Sequence, residues 1–191
     1  MPGNRREGSS MRKILILFPV TFLLLTIPLF AQDGHAPFEI FGGYNFVRLD
    51  GDGELGEGIN GWNAAFTGNF TPSFGIKAEI SGIYKNYKDD DFGDYKVSGH
   101  SFMAGPQLSG RFELLPGASS VFGHALFGTM RTGTEYSSVN SFAMAFGGGI
   151  DWGKGRVALR APQLDYFPWR NSGTTINNFR ISGGILLRIG D

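Results

Sequence analysis

The segment GWNAAFTGNFTPSFGIKAEISGIYK, residues 61–85, alternates between apolar side chains and small or polar ones. Successive side chains of a β-strand point to opposite faces, so this period of two predicts two strands, 61–71 and 74–85, each with one apolar face. The Thr-Pro-Ser sequence at residues 71–73 favours a tight turn between them. The segment is therefore predicted to form a β-hairpin.

The same alternation recurs after residue 37, and no window there sustains the apolar period of a helix. The predicted strands are residues 37–48, 61–71, 74–85, 97–112, 121–130, 141–151, 156–167 and 176–189. Long and short connections alternate between them, beginning with a long one. An even number of strands of about 10 to 14 residues, with short turns at one rim and long loops at the other, is typical of an outer-membrane barrel. We therefore predict an all-β fold, an eight-stranded antiparallel up-and-down transmembrane β-barrel.

The strand 156–167 breaks this pattern. Leu159 lies on one parity, whereas Leu164 and Tyr166 lie on the other. A one-residue bulge near Ala161-Pro162 would return these side chains to one apolar face. The bulge would also bring together on the polar face Arg160, Gln163 and Asp165.

Composition excludes several classes of function. The chain has 191 residues, no cysteine and a formal net charge of zero. Without cysteine there is no disulfide framework, thiolate-bound zinc, iron–sulfur cluster or thiol catalysis. Without a basic excess there is no electrostatic footprint for nucleic-acid binding. The 41 % of hydrophobic residues supply enough apolar material either to bury or to face lipid.

The amino-terminal residues 1–31 have the layout of a secretory signal peptide. A short basic region, Arg12 and Lys13, precedes an apolar run that ends at Phe30, and cleavage is expected after Ala31. Residues 1–10 add nothing apolar and are a candidate upstream extension. The alternative is an uncleaved single-span anchor. The expected mature domain is the outer-membrane barrel of residues 32–191.

The direction of the apolar faces separates two architectures. An eight-stranded barrel has an interior just wide enough to be filled by side chains. The large apolar side chains of the predicted strands would overfill it, whereas the Gly, Ala, Ser, Thr and Asn residues opposite them suit a narrow lumen. Aromatic residues near strand ends, such as Phe38, Trp62 and Tyr166, would form the interfacial girdles. The alternative is a soluble lipocalin-like barrel with an apolar ligand inside.

Catalysis by a lipid-modifying Ser/His/acid set would have to use one of three histidines, His35, His100 or His124. His35 lies in the start of the mature chain and is a poor base. His100 is the best candidate, yet it cannot pair with Ser101 because adjacent strand residues point to opposite faces. His124 is predicted to be an interior or interfacial packing residue.

The predicted polar face carries charged residues of both signs. Because buried charge is costly unless paired, we expect a ladder of ion pairs that plugs the lumen. The alternative is a narrow gated pore. The charged residues are Glu39, Lys77, Glu79, Lys85, Arg160, Asp165, Arg180 and Arg188.

Two predicted loops are acidic, and their oxygen ligands suggest Ca²⁺. The first resembles the start of an EF-hand loop, but Leu55 replaces the required Gly and Gly61 replaces the bidentate Glu, so the motif fails. Solvated loops are the preferred interpretation. The acidic residues are Asp50, Asp52, Glu54 and Glu57 in the first loop, and Asp89, Asp90, Asp91 and Asp94 in the second.

Four segments carry a family resemblance: FGHALFG at 122–128, SFAMAFGGGID at 141–151, QLDYF at 163–167 and NNFRISGGILLRIG at 177–190. They resemble the bacterial outer-membrane β-barrel family related to the barrel domain of outer membrane protein A, in a version familiar from acidobacterial genomes. The resemblance implies eight antiparallel strands, short periplasmic turns, exposed outer loops and usually no assigned activity. Such chains usually end on an aromatic residue, whereas Ile189 takes that place here.

The sequence thus predicts a non-enzymatic protein of the Gram-negative cell outer membrane, a structural anchor whose surface loops make contacts. No catalytic, cofactor-binding or metal-binding residue is assigned. The expected partners are outer-membrane lipid, lipopolysaccharide and the outer-membrane assembly machinery, with a monomer as the expected state and no nucleic acid. The alternatives are the soluble ligand-binding barrel, the lipid-modifying enzyme and the narrow pore.

Overall fold

The computed structural model describes residues 36–49, 58–87, 95–110, 118–133, 138–153, 155–171 and 174–190. The signal segment, His35 and most of both acidic loops lie outside these residues. The strands are β1 (Phe38–Leu49), β2 (Gly58–Asn69), β3 (Phe74–Tyr87), β4 (Tyr95–Gly110), β5 (Ala118–Gly133), β6 (Ser138–Trp152), β7 (Val157–Tyr166), β8 (Trp169–Asn171), β9 (Thr174–Ile176) and β10 (Asn178–Ile189). None of the described residues belongs to a helix that is long and apolar enough to span a membrane.

Eight long strands form a closed antiparallel barrel. Each of β1 to β7 pairs with its neighbour in sequence, and β10 pairs with both β7 and β1, which closes the wall. The predicted eight-stranded barrel is confirmed, and each predicted strand overlaps an observed one.

The two remaining strands form a hairpin at the rim that carries the long connections, called here the long-loop rim. The predicted loop at residues 168–175 contains β8 and the first two residues of β9, and the two strands pair through Trp169 and Ile176. Trp169 also pairs with Ala143 of β6. The loop forms strands because Trp169 is buried against the ring of Phe167, which holds β8 on the wall.

The apolar faces point outward. Phe102, Leu108 and Phe179 are each 63 % exposed, whereas their interior neighbours on the same strands are buried. The predicted inside-out pattern is therefore confirmed, and the lipocalin-like arrangement, which needs an apolar interior face, is not the one adopted.

The predicted bulge in β7 is also present. Gln163 pairs with Ser182 and Arg160 pairs with Gly184, so two residues of β7 face one residue of β10. As a result Leu159 and Leu164 both face outward, while Arg160 is 1 % exposed and Asp165 is 2 % exposed.

Candidate functional site

Inside the barrel, five charged or titratable side chains meet in what we call the central charged layer: Lys77, Glu79, His124, Asp165 and Arg180. They come from β3, β5, β7 and β10, on the interior parity of each strand. All five are buried. Interior charges from separate strands can meet because closure of the wall brings distant strands face to face.

Arg180 is the centre of this layer. Its Nη2 lies 2.6 Å from Glu79 Oε1 and 2.7 Å from Asp165 Oδ2, and its Nε donates to the same Asp165 oxygen at 2.9 Å. Lys77 Nζ lies 3.1 Å from Glu79 Oε2. Two cations and two carboxylates therefore neutralise one another away from solvent.

His124 belongs to the same layer. Its Nε2 lies 3.0 Å from Asp165 Oδ1, and its Nδ1 lies 3.3 Å from Lys77 Nζ. Both ring nitrogens thus contact charged side chains. Among the described contacts, neither nitrogen has a hydroxyl group beside it that could serve as a nucleophile. The His–Asp pair is a structural contact in this arrangement.

A second group lies nearer the short-turn rim and is called the lower charged layer: Glu39, Asp151, Arg160 and Arg188. Arg160 donates to both carboxylate oxygens of Asp151, at 2.7 and 3.0 Å, and lies 3.6 Å from Glu39. Its guanidinium also lies 3.9 Å from the centre of the Phe122 ring, a cation–π contact. Arg188 Nη1 donates to the carbonyls of Gly153 and Gly155 at the rim.

The long-loop end of the lumen is filled by an apolar plug, which was not predicted from the sequence. The sequence carries a usable signal for most of it, because the members on the eight wall strands have the same parity as an interior polar residue of their strand. The plug consists of Val47, Ile59, Ile83, Met103, Leu126, Met130, Ala143, Ala145, Phe167 and Trp169.

The expected ion-pair ladder is therefore present, with three changes. Lys85, which was expected in the lumen, has the interior parity of β3 but is only half-buried, because it lies near the long-loop end of the strand. Asp151, which was not expected to be a member, completes the pairing of Arg160. His124, expected only to pack, bridges the pairs.

The best catalytic candidate of the sequence stands apart from this site. His100 lies on the outer wall, where its Nε2 is 3.0 Å from Tyr84 Oη. Ser101 points into the barrel, is fully buried and is bonded to Ser81 at 2.7 Å. Within the described part of the chain, no group of three His, Asp or Glu side chains has a geometry suited to a metal ion.

Comparison with solved structures identifies the same architecture. The crystal structure of Ail, the attachment invasion locus protein of Yersinia pestis, matches with a TM-score of 0.55 and 16 % identity over 80 % of this chain and 99 % of Ail. Neisserial surface protein A matches with a TM-score of 0.61 and 11 % identity over 82 % of this chain and all of that one. A second Ail structure, in complex with the heparin analogue sucrose octasulfate, matches with a TM-score of 0.50 and 16 % identity over 78 % and 97 %.

No protein-family model matches the chain, and no curated protein sequence matches it. The likeness to Ail and Neisserial surface protein A extends over their whole length at low identity, so the similarity is one of fold. The chain has the closed eight-stranded antiparallel β-barrel of small outer-membrane proteins.

Proposed function

We propose that the protein is a non-enzymatic β-barrel of the Gram-negative cell outer membrane that anchors surface loops for contacts outside the cell. The proposal rests on the distribution of apolar and charged side chains, which is the reverse of that in a water-soluble protein. Large apolar side chains cover the exterior, and the four carboxylates of the described strands are paired with Lys or Arg side chains in the interior. Lipid is the solvent that such a surface requires.

The finer parts of this proposal concern processing and partners. Residues 1–31 act as a signal peptide, residues 32–191 form the barrel, and insertion depends on the outer-membrane assembly machinery. Outer-membrane lipid and lipopolysaccharide contact the wall, and the barrel is monomeric. The relationship to the acidobacterial version of the family rests on the four segments quoted above.

The absence of an enzymatic role is supported by the two histidines that the structure describes. His124 has both nitrogens committed to Asp165 and Lys77 deep in the lumen. His100 contacts Tyr84 on the outer wall, with Ser101 on the opposite face. Neither histidine is placed to activate a serine.

The test is heat-modifiability of residues 32–191, refolded into detergent or phosphatidylcholine vesicles. We expect faster gel migration of the unboiled sample, β-type circular dichroism and a requirement for amphiphile. A monodisperse protein that is folded in buffer without amphiphile would contradict the membrane assignment.

A further inference from the structure

Among the residues that the structure describes, the outer wall of the barrel carries charge of one sign at its long-loop end. All four acidic residues of the described part, Glu39, Glu79, Asp151 and Asp165, belong to the interior layers. Exposed cations on the outward parity near the long-loop rim are Arg48, Lys96 and Arg131. The described outward-facing charges at this end of the wall are therefore all cationic, while the described wall below them is apolar.

One part of this region is a row of outward-facing residues on the adjacent strands β2 to β5, which we call the headgroup cluster: Trp62, Tyr84, His100 and Arg131. Trp62 Nε1 donates to Tyr84 Oη at 3.2 Å, and Tyr84 Oη lies 3.0 Å from His100 Nε2. His100 lies opposite Arg131 in the register of β4 and β5, and Arg131 Nη2 donates to Ser138 Oγ of β6 at 3.0 Å. The cluster presents a guanidinium, an imidazole and aromatic rings side by side.

Gly82 makes room for the cluster. A Cβ at this position would lie 2.6 Å from Trp62 Nε1 and 2.8 Å from Tyr84 Oη. The missing side chain lets the indole and the phenol meet above the backbone of β3.

An apolar outer-wall groove of about 640 Å³ begins directly below the cluster. The floor of the groove is formed by small side chains, because Ala78 pairs with Ala104 on the β3–β4 ladder. On β4, Phe102 of the groove and His100 of the cluster are two residues apart, about 7 Å along a strand. The outward-facing residues of the groove are Ile40, Ala64, Phe66, Ala78, Ile80, Phe102, Ala104 and Phe127.

We propose that the headgroup cluster and the outer-wall groove together bind one phosphorylated glycolipid of the outer leaflet. The phosphate lies against Arg131 and His100, a sugar ring packs on Trp62 and Tyr84, and an acyl chain occupies the groove. Charge complementarity selects an anionic headgroup, and guanidinium–phosphate hydrogen bonds are among the stronger ones. This site deepens the proposed function and rests on it, because it requires the long-loop rim to lie in the outer leaflet.

The experiment measures lipid binding to residues 32–191, which contain every described residue, in phosphatidylcholine nanodiscs. Lipid A or phosphatidylglycerol is added at equal mole fractions, and retained lipid is counted by native mass spectrometry. We expect lipid A to be retained in preference to phosphatidylglycerol. The double variant Arg131→Gln with His100→Gln should bind lipid A about tenfold more weakly, since hydrogen bonds to charged groups of this kind are lost.

Two matched controls separate the site from general effects. Arg156→Gln removes an exposed cation at the opposite rim and should leave binding unchanged. Ala104→Phe should weaken binding by filling the groove, whereas Ile185→Phe, on the outer face of β10, should not.

Equal retention of phosphatidylglycerol and lipid A would overturn the proposal. So would a loss of lipid A binding in the Arg156→Gln control as large as that in the double variant. Heat-modifiability in phosphatidylcholine alone, before any glycolipid is added, reports on the barrel. A barrel that forms but shows no preference therefore refutes the lipid site alone, whereas failure to form in amphiphile refutes the proposed function.

Discussion

At the scale of single residues, Arg180 shows how this barrel tolerates charge in its interior. The side chain is fully buried, yet its guanidinium contacts carboxylates from two other strands. Desolvation of a charged group is costly, and pairing with good geometry offsets most of that cost. Gly147 contributes by leaving space, because a Cβ there would lie 2.2 Å from Asp165 Oδ1.

Replacement of Arg180 by Met should destabilise the barrel by about 3–5 kcal/mol, because Glu79 and Asp165 would remain buried without their main partner. The measurement is urea-induced unfolding in lipid vesicles, followed by gel mobility without boiling. Arg156→Met, an exposed site at the short-turn rim, is the control and should unfold at the wild-type midpoint.

Replacement of Arg180 together with Asp165, as Arg180→Met with Asp165→Leu, should cost less than the single change, since Glu79 keeps Lys77 as its partner and no unpaired charge is left behind. If Arg180→Met unfolds together with wild type, the central charged layer does not hold the wall together as argued.

At the scale of the element, the outward direction of the apolar side chains of β7 depends on its bulge. One additional residue at positions 161–162 changes the parity of the strand, so that apolar side chains before and after the bulge face outward. A regular strand would turn Leu164 into the lumen and expose Asp165 to lipid.

Deletion of Pro162 should therefore abolish the heat-modifiable form, because it moves every residue on one side of the bulge to the wrong face. The comparison is deletion of Gly51 in the first long connection, where a change of length is expected to be tolerated. Wild-type gel migration of the Pro162 deletion would show that the parity of β7 does not govern closure.

At the scale of the whole molecule, the lumen is electrically balanced and filled. The two charged layers combine Lys77, Arg160, Arg180 and Arg188 with the four described carboxylates, and the apolar plug lies above them. Met130 is 1 % exposed and Leu126 is fully buried, so described side chains occlude the upper lumen.

Planar bilayers that contain the folded barrel should consequently show no stable single-channel current under conditions in which a porin conducts. The recording is made with the protein shown to be folded by gel mobility, with the porin as positive control. A steady current that Met130→Phe alters would contradict a closed lumen and favour the narrow pore.

The architecture could be predicted from the amino-acid sequence alone, because a period of two, an even number of strands and alternating connection lengths are local properties of the chain. Trp62 and Phe66 on one parity and Asn63 and Thr67 on the other already separate the two faces of β2. The bulge at Ala161-Pro162 was equally visible, since a break in parity needs no partner strand to be detected.

Which interior residues contact one another could be read from the folded barrel alone. Arg180 and Glu79 contact each other although they are far apart in sequence. Alternation predicts that both side chains face the interior. It does not predict their positions along the barrel axis or which strands face each other across the lumen. The headgroup cluster, the groove over Ala78 and Ala104, and the hairpin of β8 and β9 likewise depend on strand register. Parity is encoded in each strand alone, whereas register and closure depend on the packing of all eight wall strands together.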